Sequence, residues 1–424
     1  MSLYGSRRMN HQLEKYSRPA AMTKLLMPVF FLILASVFGC SDGSSDAEKR
    51  ADPEKVAEIQ KDLQTVLDEW RENERITGAS LSVFSPPVGD IDLVSGSSKL
   101  SIDPERFPDT PLGSDQPMFI GDITHLLVAA IVVQLANEGS LEVQQTIDTW
   151  FPAIENSSQI TVRNLLEHTS GVPIFYTEEF LDVLYEQSPN SSKSPDEVIA
   201  IAASEGSFFE PNSQYGYSKT NFIILGRIIE LVTESTLEFE LRDRFLNPLD
   251  MSDTYLAGIE KIPSGIPLGY EYAGLSSDAP TVIDGHVPQT PATSVITAEW
   301  ASGAVVSTTG DLIKLVRGIF ESQEYEDLLS ELLRPAAHAA QSSGPIRIES
   351  GAGVFIWQDD DEQVVGQFGF LYPFSAQFMY WPKSKTVITV IANEVDSSRN
   401  PNSNFQLPVI ENLTTKAKTI IDAN

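Results

Sequence analysis

The chain has 424 residues, 42% of them hydrophobic, and its 59 acidic against 29 basic side chains give a net charge of −30. This length and apolar content are sufficient to bury a substantial core, while the negative charge makes nucleic acid and anionic membrane surfaces unfavourable partners. A single cysteine excludes an internal disulfide and a zinc site built from several cysteines.

The N-terminal segment has the layout of an export signal. Lys24 precedes an apolar run over residues 25–39, which ends at Cys40. A positive residue, a short apolar run and a small residue before the cleavage point are typical of signal peptides. We therefore expect residues 1–40 to be a signal peptide, with Met22 as a plausible true start.

The end of this segment predicts a lipid anchor. Gly39 directly before Cys40 resembles a bacterial lipobox, in which the cysteine is lipidated and becomes the mature N-terminus. Ser41, and not aspartate, follows the cysteine, and the sorting rule of similar lipoproteins then points to the outer membrane. The alternative is an uncleaved N-terminal anchor, although Pro28 interrupts a run that is already short for a spanning helix. Both interpretations place the body of the protein on the periplasmic side of the envelope, outside the cytoplasm.

The first predicted elements follow a short linker. Residues 41–52 are small and polar, which predicts a flexible tether, and residues 53–424 are predicted to form the folded domain. A helix is expected to open at Pro53, with apolar residues at helical spacing after it. Strands are expected at 79–84 and 92–94, joined by a turn that contains proline and glycine.

The remaining elements predict an α+β architecture. Residues 119–335 are mostly helical by periodicity, with surface loops expected at 188–195 and 261–293. The C-terminal part returns to strands and closes with a helix, predicted at 353–357, 363–365, 376–381 and 386–391, and at about 408–421. Strands at both ends with helices between them predict an antiparallel sheet covered by a mostly helical lobe.

The most informative motif is the segment 119–125, Phe-Ile-Gly-Asp-Ile-Thr-His, which an apolar run follows. It resembles the F-x-x-G-S-x-T-K motif at the start of the active-site helix in the serine β-lactamase and penicillin-binding-protein superfamily. That motif supplies a serine nucleophile and, three residues later, a lysine on the same face of the helix. In this chain Asp122 stands at the serine position and His125 stands at the lysine position.

Further segments carry the same resemblance in the same order along the chain. They cover about residues 60 to 420 and include 160–173, 209–222, 225–230, 248–254, 301–312 and 366–370. The chain is therefore identified as similar to the class C β-lactamase-related serine hydrolases. This resemblance implies a β-lactamase/DD-peptidase-like fold, with strands from both ends of the chain in one sheet.

The resemblance also implies where the site should lie. Tyr217 is kept from the second motif, while Lys219 replaces its partner asparagine. In the third motif Gln367 stands where a basic or imidazole side chain helps to hold the substrate carboxylate in the family. Gly369 keeps its position, whereas Phe368 and Phe370 add bulk to a strand that is expected to line the cleft.

A serine nucleophile needs a base beside it and backbone N–H groups that stabilise the oxyanion. Asp122 has no proton to lose at neutral pH, and the helix dipole stabilises its charge. It would also direct a negative charge into the hole that holds the oxyanion. The preferred interpretation is an ion pair between Asp122 and Lys219, with His125 as a second neighbour.

Two other interpretations stay open at the sequence level. Asp122 and His125 could be metal ligands, although a D-x-x-H pattern is often accidental. Alternatively, Ser218 beside Tyr217 and Lys219 could act as a different nucleophile. The remaining histidines carry no expected chemistry: His168 is expected to be structural, and nothing is assigned to His286 and His338.

These observations predict a lipid-anchored envelope protein that is a non-catalytic homologue of the family. The expected ligand is a peptidoglycan peptide or an envelope protein, and neither a cofactor nor a metal is predicted. The competing prediction is an active hydrolase, such as an esterase, peptidase or β-lactamase-like enzyme, that uses a non-standard site.

Overall fold

The computed structural model describes residues 51–273, 282–338, 341–343, 346–358, 362–395 and 407–424. The predicted signal peptide, Cys40 and nearly all of the predicted tether lie outside the described residues. Within them, no helix is long and apolar enough to cross a membrane.

The first half of the described chain contains five strands and seven helices. In chain order they are α1 Pro53–Glu74, β1 Gly78–Ser85, β2 Gly89–Lys99, β3 Thr110–Pro111, β4 Met118–Phe119, α2 Thr124–Asn137, α3 Val162–Leu166, α4 Glu178–Asp182, α5 Pro195–Ser204, α6 Thr220–Thr233, α7 Leu237–Leu241 and β5 Tyr255–Leu256.

The second half returns to strands, as the sequence predicted. Its elements are β6 Gly269–Tyr272, β7 His286–Gln289, α8 Thr293–Gly303, β8 Val305–Ser307, α9 Thr309–Glu321, α10 Glu326–Leu332, β9 Gln341–Ser343, β10 Ile346–Ser350, β11 Phe355–Gln358, β12 Gln363–Leu371, β13 Phe374–Trp381, β14 Thr386–Ala392, β15 Glu394–Val395 and α11 Leu407–Asp422.

The main sheet joins both ends of the chain, in the order β3-β2-β1-β14-β13-β12-β11-β10-β9, and all of its pairs are antiparallel. The α+β prediction, with one sheet built from N- and C-terminal strands, is confirmed. Two small three-stranded sheets, β15-β6-β7 and β4-β8-β5, flank it. The predicted loop at 261–293 is therefore wrong in part, because β6 and β7 lie inside it.

The outer face of the main sheet is closed by the first and last helices. Asp52 caps α1 by accepting from the N–H of Glu54, and Pro53 occupies the first turn, where its missing N–H costs nothing. Ile59, Leu63 and Leu67 recur at helical spacing and are fully buried against the sheet and α11.

The other face carries the helical lobe, with α2 at its centre. Residues 124–133 of this helix are all buried, so α2 is apolar on every side, as expected for a helix enclosed by other elements. The β14 strand is buried along its whole length for the same reason, since both of its faces are covered.

The pairing of β12 leaves part of one edge open. The β11 strand pairs with it only from Gln363 to Gly366, whereas β13 continues to Leu371 on the other side. Beyond Gly366, the backbone groups on the β11 side of β12 face the start of α2. This stretch of strand edge is the floor of the site described next.

Candidate functional site

Asp122 lies in a single 3-10 turn, Gly121–Ile123, directly before α2. This turn packs backbone to backbone against β12. A Cβ atom on Gly369 would lie 1.7 Å from the carbonyl oxygen of Ile120, and one on Gly121 would lie 2.2 Å from the nitrogen of Phe370. Gly121 also has a φ of +50°, a conformation that glycine adopts without strain. The two glycines therefore allow the contact that places Asp122 at the strand edge.

Both oxygens of the Asp122 carboxylate are engaged. Oδ2 accepts from the backbone N–H of Phe370 at 3.1 Å, on the open edge of β12. Oδ1 accepts from the hydroxyl of Tyr217 and lies 3.3 Å from the Lys219 ammonium. The expected pair of Asp122 and Lys219 is present, and Asp122 is only 8% exposed. A hydrogen-bonded carboxylate therefore stands where the resemblance places a nucleophile.

Lys219 has a second carboxylate partner, Glu299, which the sequence analysis missed. Its Nζ lies 2.9 Å from Glu299 Oε1 and 3.3 Å from the carbonyl oxygen of Phe370. Burial acts to lower the pKa of Lys219, but the charges of Asp122 and Glu299 together raise this pKa above its ordinary value. Lys219 is thus a protonated cation held between two carboxylates and cannot serve as a base.

A local distortion of α8 accompanies the position of Glu299. The next residue, Trp300, has φ 28° and ψ −106°, which interrupts the helix. Such angles are costly for a residue with a side chain and persist only where the surroundings impose them. Glu299 is 1% exposed and accepts from the hydroxyls of Tyr176 and Ser302, the latter at 2.7 Å. The lone acidic residue in the apolar stretch 293–303 was the available sequence signal.

His125 is the expected second neighbour of Asp122, but it does not form a hydrogen bond with the carboxylate. Its ring stacks on Phe222 with centroids 3.7 Å apart, and its Nε2 lies 3.9 Å from Asp122 Oδ1, beyond hydrogen-bond distance. Neither ring nitrogen forms a well-aligned hydrogen bond among the described residues, although the backbone of Ser302 lies nearby. Burial, and then the nearby charge of Lys219, hold the pKa of His125 well below its ordinary value. The imidazole is neutral and a weak base.

His168 has the structural role that its turn predicted. Its Nδ1 accepts from the backbone N–H of Ser218 at 3.2 Å, which fixes the segment that carries Tyr217 and Lys219. Burial, followed by the neighbouring His125, lowers the pKa of His168 to about 3. The ring is therefore neutral. Burial and the charge of Asp122 raise the pKa of Tyr217 well above its ordinary value, so this phenol stays a donor.

The third motif is oriented differently from the sequence expectation. Gln367 is 4% exposed, and its amide donates to the carbonyl oxygen of Gly353 at 3.1 Å. Phe368 packs against Trp357, in a separate apolar cluster with Val364. Neighbouring side chains of a strand point to opposite faces, so Gln367 and Phe368 lie on different faces of β12. In this structure Gln367 is bound to a backbone carbonyl group, and the bulk of Phe368 packs against Trp357.

Neither open alternative is supported by the geometry. Ser218 is 2% exposed, and no described residue forms a hydrogen bond with its Oγ, so the hydroxyl lacks a base. The described residues contain no group of three or more histidine, cysteine or acidic side chains that could hold a metal ion. The Lys219 ammonium also lies against the Asp122 oxygen that a metal ion would need.

The two other histidines of the described residues lie away from this cluster. His338 is exposed and interacts with the carbonyl oxygen of Asn212 at 3.2 Å. His286, to which the sequence analysis assigned nothing, lies 2.5 Å from the fully buried carboxylate of Glu394. The same carboxylate accepts from the backbone N–H of Thr77, so the pair joins β7 and β15 to β1. His286, to which no role was assigned, therefore has a structural role in this contact.

Comparisons with known proteins agree with this architecture. The Beta-lactamase family model matches residues 92–408. Penicillin-binding protein 4* of Bacillus subtilis strain 168 is 22% identical over 348 residues, which cover 80% of this chain and 72% of that protein. Protein flp of Staphylococcus aureus strain MW2 is 22% identical over 84% of this chain and 66% of its own length.

Solved structures show the same fold. The D-amino acid amidase of Ochrobactrum anthropi SV3, complexed with D-phenylalanine, superposes with a TM-score of 0.71 at 22% identity, over 87% of this chain and 100% of that chain. The octameric penicillin-binding protein homologue of Pyrococcus abyssi gives a TM-score of 0.65 at 21% identity, over 79% of this chain and 73% of that chain. With its matching motifs, sheet order and family-model match, this chain belongs to the Beta-lactamase family and has the β-lactamase/DD-peptidase-like fold.

Proposed function

We propose that this protein is a non-catalytic member of the Beta-lactamase family that acts by binding, as a lipid-anchored component of the periplasmic face of the envelope. The observation that carries the proposal is the carboxylate of Asp122, held by Phe370, Tyr217 and Lys219 at the place of the nucleophile. The expected ligand is a cell-wall peptide or an envelope protein.

The strand edge supports this proposal. Catalysis of acyl transfer needs backbone N–H groups that are free to stabilise an oxyanion. The N–H of Phe370 instead donates to Asp122, and the carbonyl oxygen of Phe370 accepts from Lys219. A developing oxyanion at this point would also meet the negative charge of Asp122. Both the hydrogen bonds and the charge therefore oppose the reaction.

The protonation states of the side chains in the cluster also support the proposal. Lys219 is protonated, His125 and His168 are neutral with lowered pKa values, and the two tyrosines keep their protons. The remaining acceptors, Asp122 and Glu299, are already hydrogen-bonded. A general base works best when its pKa lies near the ambient pH and its lone pair faces the nucleophile. No described group in this cluster meets both conditions.

Hydrolysis assays separate this proposal from an active hydrolase with a non-standard site. Purified protein should give only background hydrolysis of chromogenic esters and chromogenic β-lactams, beside a serine-containing family member as the assay control. Asp122→Ala should leave that background unchanged. Hydrolysis that Asp122→Ala or Ser218→Ala abolishes would establish the active alternative and refute the proposal.

Ligand binding can be tested at Tyr185, a partly exposed aromatic residue. Tyr185 is 42% exposed, and burial, followed by the charge of Glu299, raises its pKa above the ordinary value. Muropeptides should raise the melting temperature of the protein, and Tyr185→Ala should reduce that shift. Phe239→Ala, at an aromatic residue on α7 that is 57% exposed, serves as the control. The absence of any shift with muropeptides would leave an envelope protein as the ligand to test by crosslinking.

The lipid anchor follows from the sequence alone, since Cys40 lies outside the described residues. Cys40→Ser should abolish labelling by a radioactive fatty acid and move the protein from the detergent phase to the aqueous phase. Retention of the variant in the detergent phase with an uncleaved N-terminus would instead support a signal anchor.

A further inference from the structure

A concave site without Asp122 or Lys219 in its wall lies between β2, β6 and α8. It is a cleft of about 390 Å³, a volume that accommodates a small organic ligand. Its walls come from the end of β2, the segments that flank β6 and β7, and the first turn of α8. Most of the wall is apolar, including Leu268, Ile296, Phe119 and Phe374.

Lys99 is the one charged side chain that lines this cleft. It is exposed, and among the described residues no carboxylate lies within ion-pair distance of its ammonium. Because no described carboxylate neutralises it, the Lys99 ammonium is available to a ligand in this cleft. A cation without a partner beside an apolar wall favours a ligand that brings its own negative charge.

Gln116 adds a second donor at the same cleft. Its Oε1 accepts from the backbone N–H of Gly113 at 2.9 Å, which fixes the orientation of the amide. No described residue accepts a hydrogen bond from its Nε2. The cleft thus combines one ammonium and one amide N–H with an apolar wall. A carboxylate accepts hydrogen bonds from both kinds of donor.

We propose that this cleft binds an amphiphilic carboxylate, an aliphatic chain that ends in one negative charge. The chain lies against Leu268 and Ile296, where burial of methylene groups stabilises the complex. The carboxylate accepts from Lys99 and Gln116. The site is separate from the Asp122 cluster, although Phe119 and Phe374 belong to the two segments that carry Asp122 and Phe370.

Displacement of the fluorescent probe 8-anilinonaphthalene-1-sulfonate tests this proposal, with decanoate and the uncharged 1-decanol as competitors. Decanoate should displace the probe more effectively than 1-decanol. Lys99→Gln should weaken the binding of decanoate by about 3- to 5-fold, as expected for one exposed charge contact, and should leave the binding of 1-decanol unchanged. Lys61→Gln, on the exposed face of α1, should leave the binding of both competitors unchanged.

A second variant tests the apolar wall. Ile296→Trp fills the cleft and should weaken both competitors, while circular dichroism confirms that the variant is folded. The proposal is overturned if decanoate does not displace the probe, if Lys99→Gln and Lys61→Gln have the same effect, or if Ile296→Trp has none.

Discussion

At the scale of single residues, the site is defined by one cation between two carboxylates. The side chains of Lys219, Asp122 and Glu299 are 10%, 11% and 1% exposed. Burial of charges is costly, and it is tolerated when each charge is paired and its remaining lone pairs are satisfied. Tyr217, Tyr176 and the N–H of Phe370 supply those additional bonds. The three charges therefore form one unit, and removal of one affects the other two.

Removal of the cation should be more harmful than removal of all three charges. Lys219→Met leaves two buried carboxylates without a cation, at a cost of about 3–5 kcal/mol in the free energy of unfolding. The triple variant Asp122→Asn, Glu299→Gln, Lys219→Met leaves no uncompensated charge and should be more stable than Lys219→Met alone. Urea unfolding measures both.

Lys418→Met provides the control, because its partner Asp422 is 54% exposed and such a pair contributes about 1 kcal/mol or less. A Lys219→Met variant that is no less stable than Lys418→Met would show that the cluster is not a coupled unit.

The two buried histidines predict how stability depends on pH. The folded-state pKa of His168 is about 3 and that of His125 is also lowered, whereas an unfolded histidine titrates near about 6.5. Below that pH the unfolded chain binds more protons, so the free energy of unfolding falls as pH falls. Each histidine contributes about 1.4 kcal/mol per pH unit in that window.

His125→Phe should keep the stacking on Phe222 and remove the proton that the unfolded chain takes up at His125. Between pH 6 and 4 the slope of stability against pH should then be smaller by about one proton. His338→Gln, at an exposed position, should leave the slope unchanged. Equal slopes for the wild type and His125→Phe would contradict the burial of a neutral imidazole.

Among single residues, the sequence predicts only those site residues that stand at a recognisable motif position. Asp122 and Lys219 stand at aligned motif positions, so their pairing could be foreseen. Glu299 lies in an apolar helix 80 residues away in sequence, and only the fold brings it to Lys219. The Phe370 contact involves a backbone group, which residue identity does not reveal. The orientation of Gln367 depends on the strand register, and a one-residue shift would reverse it.

At the scale of elements, the turn before α2 and the strand β12 act together. Two glycines let their backbones approach closely, and this contact delivers Asp122 to Phe370. In this chain Asp122 occupies the open edge of β12 at Phe370. An extended peptide can add to a free strand edge through main-chain hydrogen bonds. Asp122 and Lys219 block this mode at Phe370.

The glycine contact can be tested with a matched pair of variants. Gly121 and Gly139 both have positive φ, +50° and +76°, so alanine is strained at either position. Only at Gly121 would the new Cβ meet a neighbouring strand, whereas Gly139 has open space. Gly121→Ala should therefore be less stable than Gly139→Ala by about 1–3 kcal/mol in urea unfolding. Equal losses would show that the turn is free to move away from β12.

The elements themselves were largely predictable, and the errors have physical causes. The helix from Pro53 and the strands at 376–381 and 386–391 carry clear periodicity and appear close to the expected bounds. The β12 strand was predicted to end at 365 but continues to Leu371, because glycines break its pattern although the β13 pairing sustains it. Similarly, β6 and β7 are short strands with weak periodicity.

At the scale of the whole molecule, two apolar cores lie on opposite faces of one sheet. The larger core joins the helical lobe to the sheet, and the smaller one joins α1 and α11 to its outer face. Each terminal helix packs on strands that are close to it in sequence, β1 and β2 for α1 and β13 and β14 for α11, but the two helices also contact each other across more than 300 residues, which neither sequence segment reveals. The family resemblance supplied the expectation that strands from both ends of the chain form one sheet, which local patterns do not contain.

The closing role of α11 is testable at one residue. Leu413 is fully buried between this helix and the sheet, so Leu413→Ala should cost about 2–5 kcal/mol of unfolding free energy. Lys416→Ala, on the exposed side of the same helix, should cost less than about 0.5 kcal/mol. Similar values for the two variants would mean that α11 does not close the core.

We propose that a closed charge cluster takes the place of the family's reactive centre in this protein. Mass spectrometry of the intact protein after incubation with a labelled penicillin or a fluorophosphonate tests whether a reactive serine is present, with a serine-containing family member as the positive control. We predict an unchanged mass for this protein under conditions that fully label the control. A stoichiometric adduct on Ser218, or on any other serine of the cleft, would show that the protein is acylated and would refute the non-catalytic proposal.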